Sequence, residues 1–163
     1  MKNVKKARVV FVLLLALWML VIFVMSAQPA EQSSQLSGGI VSSIIAAICR
    51  NFDTLSSQQQ TEITSVVTLV VRKTAHFSEY FILGVLVSLT ASTSGKINYK
   101  LKFLLSTVFC VIYATSDEIH QFFVPGRACR FGDVCIDTAG SVVAIALIML
   151  ICMLKNRSGE INA

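Results

Sequence analysis

Residues 9–27 (VVFVLLLALWMLVIFVMSA) carry no charge. At about 1.5 Å per residue, a helix of this length covers a hydrocarbon core of about 30 Å. The chain as a whole is 55% hydrophobic and 14% charged, where soluble domains run at about 25% charged. A soluble fold of 163 residues cannot hide that much apolar surface, so lipid must be part of the solvent. Lys2, Lys5, Lys6 and Arg8 precede the run. A secretory signal has the same layout, and residues 25–27 pass as a cleavage site. The apolar stretch exceeds an ordinary signal core, which favours a retained anchor.

Three further spans follow, at about 74–91, 103–123 and 138–154. Pro125-Gly126 breaks the third, and residues 127–137 read as a loop. Residues 28–73 form a long connection with two amphipathic stretches. Leu36, Ile40, Val41, Ile44, Ile45 and Ile48 recur at helical spacing in the first, whose start Gly38 and Gly39 weaken. Ile63, Val66, Val67, Val70 and Val71 do so in the second. Each is too short to span alone, so helices lying at the interface or against the bundle are expected. The predicted fold is all-α: a polytopic membrane helix bundle of four transmembrane helices, plus one or two amphipathic helices at the outer face, in one domain over 1–163.

With four spans, both termini and the connection 92–102 share a side. That side collects Lys2, Lys5, Lys6, Arg8, Lys96, Lys100, Lys102, Lys155 and Arg157, against Arg50, Arg72, Lys73, Arg127 and Arg130 on the other. The bias places both termini in the cytoplasm. Of the acids, only Glu160 lies on that side. The net charge of +5 therefore reflects span orientation and not nucleic-acid binding; the expected partners are membrane lipids. The cysteines form no CxxC pair or zinc spacing. Cys110 and Cys152 read as packing residues, while Cys129 and Cys135 share a loop and fit either a disulfide or two free thiols.

Two polar segments stand out, 72–80 (RKTAHFSEY) and 116–121 (SDEIHQ). On a helix Arg72, His76, Glu79 and Tyr80 form one stripe with Lys73 beside it. Asp117, Glu118 and Gln121 share a face, with His120 to one side. Counting helix rise from the cytoplasmic ends puts Asp117 at about 22 Å, Glu79 at about 20 Å and Asp137 at about 27 Å. Ionisable groups at such depth must face the bundle interior and pair. Glu79, Asp117, Glu118, His76 and His120 are thus the candidates for acid–base work, since desolvated carboxylates suit proton transfer. His76, Glu79, Glu118 and His120 are a weak nitrogen/oxygen set for a divalent ion. No established metal or nucleophile motif is present, and no cofactor is expected.

At these residues the chain resembles the VanZ-like family of bacterial membrane proteins. The resemblance lies in WMLVIFVMSAQP (18–29), VRKTAHFSEYFILG (71–84), DEIHQFFVPGR (117–127) and FGDVCIDTAGSVVA (131–144). It implies an α-helical protein of the bacterial cytoplasmic membrane, related to a factor that raises tolerance to the glycopeptide antibiotic teicoplanin. Residues matching the family pattern are Lys73, His76, Glu79, Tyr80, Asp117, Glu118, Gln121, Arg127, Asp133, Asp137 and Gly140. Of these, Lys73, Tyr80, Gln121, Arg127, Asp133 and Asp137 are the expected binding residues. Three functions stay open. One is a polar outer-face pocket for lipid headgroups, a lipid-linked envelope precursor or an acylated glycopeptide. The second is a membrane-embedded acid–base or metal-dependent enzyme on a headgroup. The third is a non-catalytic accessory or assembly protein whose polar cluster is packing glue.

Overall fold

The computed structural model describes residues 2–95 and 97–161, with side chains for 4–95 and 97–155. The side chains of Lys2, Lys96, Arg157 and Glu160, which entered the orientation count, lie outside that set. Five α-helices follow in order: α1 (Lys2–Ser26), α2 (Ala30–Ile48), α3 (Ser57–Ser92), α4 (Tyr99–Phe122) and α5 (Phe131–Ile161), with a short 3-10 turn at Phe52–Thr54. No strand occurs among the described residues.

Three boundaries depart from expectation. The second amphipathic stretch is not a separate helix. It runs into the second span, making α3 a continuous helix of 36 residues. The Ser56 side chain and Gln59 form a capping box that starts it, and neither Pro nor Gly interrupts the backbone before Gly84. The first stretch is α2, with Gly38 and Gly39 inside it rather than fraying its start. Its Val41 and Ile45 pack on Val67 of α3. The expected loop 127–137 is also shorter, because α5 begins at Phe131. Asp133 stands in its first turn, where a carboxylate complements the positive end of the helix dipole. Cys129 stays in the loop and Cys135 lies on α5; both are exposed free thiols.

Among the described residues, three helices are long and apolar enough to cross a membrane: Val4–Ser26, Ser57–Ser92 and Phe131–Lys155. Helix α4 is long enough at 24 residues, but Lys100 and Lys102 at one end and Asp117, Glu118 and His120 at the other lower its hydropathy. Polarity across the bundle is reversed from that of a soluble domain. Leu13 and Leu17 on α1, Leu104 and Ile112 on α4, and Leu150 on α5 face outward. His76, Asp117, Glu118, Gln121, Asp133 and Asp137 are buried. Exposed apolar area on every long helix requires an apolar solvent.

Small residues set the tightest contact. At Gly84 of α3 a Cβ would stand 2.5 Å from the Ser141 carbonyl oxygen and 2.9 Å from its Cα. At Gly140 of α5 a Cβ would collide with the Phe77 carbonyl oxygen. Backbone therefore lies against backbone, as small residues permit between membrane helices. Beside this seam Ile22, Tyr80, Leu83, Cys110, Ala114 and Ile145 form a fully buried core from α1, α3, α4 and α5.

Candidate functional site

The C-terminal ends of α1 and α4, the start of α5 and the middle of α3 meet at one level. Polar contacts between the helices fix this. The Trp18 indole N–H donates to the Glu79 carbonyl at 2.9 Å, tying α1 to α3. The Tyr113 hydroxyl donates to the Met19 carbonyl at 2.7 Å, tying α4 to α1. Lys73 of α3 pairs with Asp133 of α5. The Arg130 backbone N–H donates to Glu118 Oε2 at 2.8 Å, holding the α5 entry to α4. His76 Nδ1 lies 3.3 Å from Asp137 Oδ1, within ion-pair range but outside hydrogen-bond geometry.

Asp117 is the centre of one knot. The Ser26 hydroxyl donates to its Oδ2 at 2.8 Å and Gln121 Nε2 donates to the same atom at 3.1 Å. All three residues are buried. Asp117 thus joins α4 to the last turn of α1, a packing role, while keeping its place among the site acids. Ser26 had only looked like part of a cleavage signal; its sole sequence clue is a hydroxyl in the final turn of an apolar span. Asp117→Ala strips the Ser26 hydroxyl of its acceptor and Gln121 Nε2 of one of two, the other being Ser26 Oγ, at roughly 1–2 kcal/mol given the modest worth of such bonds in membranes. Thermal unfolding in detergent should show the loss, and an unchanged midpoint would remove Asp117 from the packing of α1.

Arg127 builds the rim. Its Nε donates to the Gln28 carbonyl at 2.8 Å, Nη2 to the Met25 carbonyl at 3.4 Å and Nη1 to Gln121 Oε1 at 3.4 Å. A guanidinium so placed satisfies carbonyls left open at the end of α1. Burial, and next the neighbouring Arg72, pull it below the ordinary arginine value. Gly126 adopts a φ of 74°, which glycine accommodates without strain. The turn also lets the Ala30 N–H reach the Pro125 carbonyl at 3.2 Å. The α4–α5 loop is thereby latched onto the entry of α2.

Further in, His76, Glu118 and Asp137 each present a ligand-type atom, all within 4.8 Å of one another. The four-residue metal set read from the sequence is therefore corrected in two places. His120 turns away and stacks on Phe23 of α1, with ring centroids 4.5 Å apart, and Glu79 stands outside the group, facing a cavity. Asp137 completes it instead. Tyr80, fully buried, packs its ring tilted against Tyr113.

That cavity has a volume of about 340 Å³, within the range of small-molecule pockets. Its polar lining is Arg72, His76, Glu79, Gln121, Arg127 and Arg130. Apolar side chains line it too, Met25 of α1, Leu36 and Ile40 of α2 and Val71 of α3, and α2 adds Ser33, Ser34 and Ser37. Asp133 also lines it, already engaged by Lys73. Arg72 Nε is buried there without a partner, and Arg130 is exposed.

No curated protein and no solved structure matches the chain. A family model does, and its match runs over residues 11–153, from within α1 to the last turns of α5. It thus takes in every residue of the pocket and of the buried His76, Glu118 and Asp137 group. A match over most of the chain, on an all-helical bundle with this polar interior, makes the protein a member of the VanZ/LLP1 family.

Proposed function

We propose that this VanZ-family protein spans the bacterial cytoplasmic membrane four times with both termini in the cytoplasm. Its pocket opens toward the outer leaflet and binds an anionic lipid headgroup or a lipid-linked envelope precursor. One observation carries the reading: a single cavity is lined by three arginines, Arg72, Arg127 and Arg130, together with the aliphatic side chains of Leu36, Ile40 and Val71. Guanidinium groups recognise phosphate and carboxylate oxygens through paired N–H donors, and aliphatic side chains suit the acyl part of the same molecule. The exposed apolar face of α4, from Leu104 to Phe122, supports its crossing the membrane beside α1, α3 and α5. The bonds of Trp18 and Ser26 into the bundle support a retained first span. A role in glycopeptide tolerance follows from the family kinship, since teicoplanin carries an acyl tail and targets a lipid-linked precursor on that face.

Arg72 and Arg130 are the cations available to a ligand, because the donors of Arg127 are directed to the end of α1. Arg72→Gln and Arg130→Gln should each weaken binding of phosphatidylglycerol, measured on the purified protein in neutral-lipid nanodiscs, by about tenfold. Phosphatidylcholine binding should not change. Equal phosphatidylglycerol affinity in both variants would overturn the headgroup reading. In cells, the same substitutions should lower teicoplanin tolerance at equal expression. A second reading, a membrane-embedded enzyme acting on the headgroup, draws support from the convergence of His76, Glu118 and Asp137 beside the cavity.

A further inference from the structure

Among the buried polar atoms that no hydrogen bond satisfies, four converge from three helices on one point. Both carboxylate oxygens of Asp137, Oε1 of Glu118 and Nδ1 of His76 are buried and lack a hydrogen-bond partner. Asp137 and Glu118 are fully inaccessible. The three side chains come from α5, α4 and α3, so the fold and not local sequence aims them at one point. Buried carboxylates are costly unless paired or bound to a cation. Two neighbouring cations are directed elsewhere, Lys73 to Asp133 and Arg127 to the α1 carbonyls and Gln121, and Arg72 and Arg130 line the headgroup cavity.

We infer that His76, Glu118 and Asp137 bind a divalent transition-metal ion of the zinc or manganese type. Two carboxylates and a neutral imidazole carry the charge that such an ion cancels. The donor set is one nitrogen with two oxygens, which suits zinc and manganese and gives a soft ion such as Cu(I) no sulfur ligand. The 3.3 Å between His76 Nδ1 and Asp137 Oδ1 matches the roughly 3.3–3.5 Å between two donors on one tetrahedral zinc with bonds of about 2.0–2.1 Å. Glu118 is already steered: its Oε2 accepts the Arg130 backbone N–H, which fixes the carboxylate and leaves Oε1 for the ion, as outer partners orient ligands in metal sites. His76 also lines the headgroup cavity, so the ion would sit at its inner wall. This site stands without the headgroup reading, because metal content is measured with no lipid ligand added.

The test uses the full chain, purified, stripped with a chelator, incubated with Zn²⁺ or Mn²⁺ alone, dialysed and assayed by elemental mass spectrometry. Wild type should retain about one equivalent of at least one of the two ions. Asp137→Asn, Glu118→Gln and His76→Ala should each weaken retention at least about tenfold. Glu79→Gln and His120→Ala should retain it as wild type does. The retained ion should also raise the unfolding midpoint of wild type and not that of Asp137→Asn, by mass action on the folded state. Wild type holding less than about a tenth of an equivalent of either ion, or wild-type retention in all three ligand variants, overturns the site. If the ligand variants fail to fold, the wild-type loading and its midpoint shift decide alone. A chain that holds metal yet binds no anionic lipid refutes the headgroup reading and leaves this one standing.

Discussion

Gly140→Ala is expected to cost the folded protein about 3 kcal/mol, at the upper end for overpacking by a single methyl group. The added carbon would enter the Phe77 carbonyl oxygen, and backbone cannot rotate away as a side chain could. Relief requires α3 and α5 to separate. That would open the buried seam at Gly84, Ser141 and Ala144 and shift Asp133 and Asp137 relative to Lys73 and His76. Gly39→Ala is the control. It sits inside α2 with nothing within 4 Å of the new carbon, so it should be neutral or stabilise by about 0.5–1 kcal/mol through helix propensity. Chemical denaturation in mixed micelles measures both. A Gly140→Ala protein as stable as Gly39→Ala would mean that α3 and α5 do not pack this closely.

Lys73→Met should be comparably damaging, for an electrostatic reason. Asp133 is 4% exposed and Lys73 is its ion-pair partner. The Lys73 side chain is 27% exposed, so removing it leaves the buried Asp133 charge uncompensated at about 2–3 kcal/mol, below the cost for a wholly buried pair, whereas replacing both is often close to neutral. The double variant Lys73→Met/Asp133→Asn should therefore recover most of the lost stability. The cycle separates pairing from mere burial of the Lys73 stem: if the second substitution adds to the damage instead of reversing it, Lys73 and Asp133 are not energetically coupled.

The helical class and the break at Pro125-Gly126 were legible in the chain, because hydropathy and breakers are local properties. Depth, however, does not give azimuth. Rise counting placed Asp137 near the level of His76 but could not say that it faces His76 while His120 turns to Phe23. That choice depends on how α5 rotates about its axis, and the Gly84 and Gly140 contacts set it. The merger of the second amphipathic stretch with the second span was missed for a related reason. Amphipathic and apolar helices differ in surroundings, not in backbone, so a change of pattern without Pro or Gly does not end a helix. Ser26 and Trp18 were invisible as site-builders because an apolar run offers no hint of which polar atoms its helix will meet.

The account depends on polar groups from separate helices meeting in a pocket at the membrane face opposite both termini. Cys129, an exposed thiol in the loop beside the pocket, tests this in a chain whose other cysteines are replaced by serine or alanine. A membrane-impermeant maleimide applied to intact cells should label Cys129. A thiol placed at Lys155 in an otherwise cysteine-free chain should react only after the cells are permeabilised. Labelling of Lys155→Cys in intact cells, with Cys129 protected until permeabilisation, would turn the protein over in the membrane and contradict an outward-facing site.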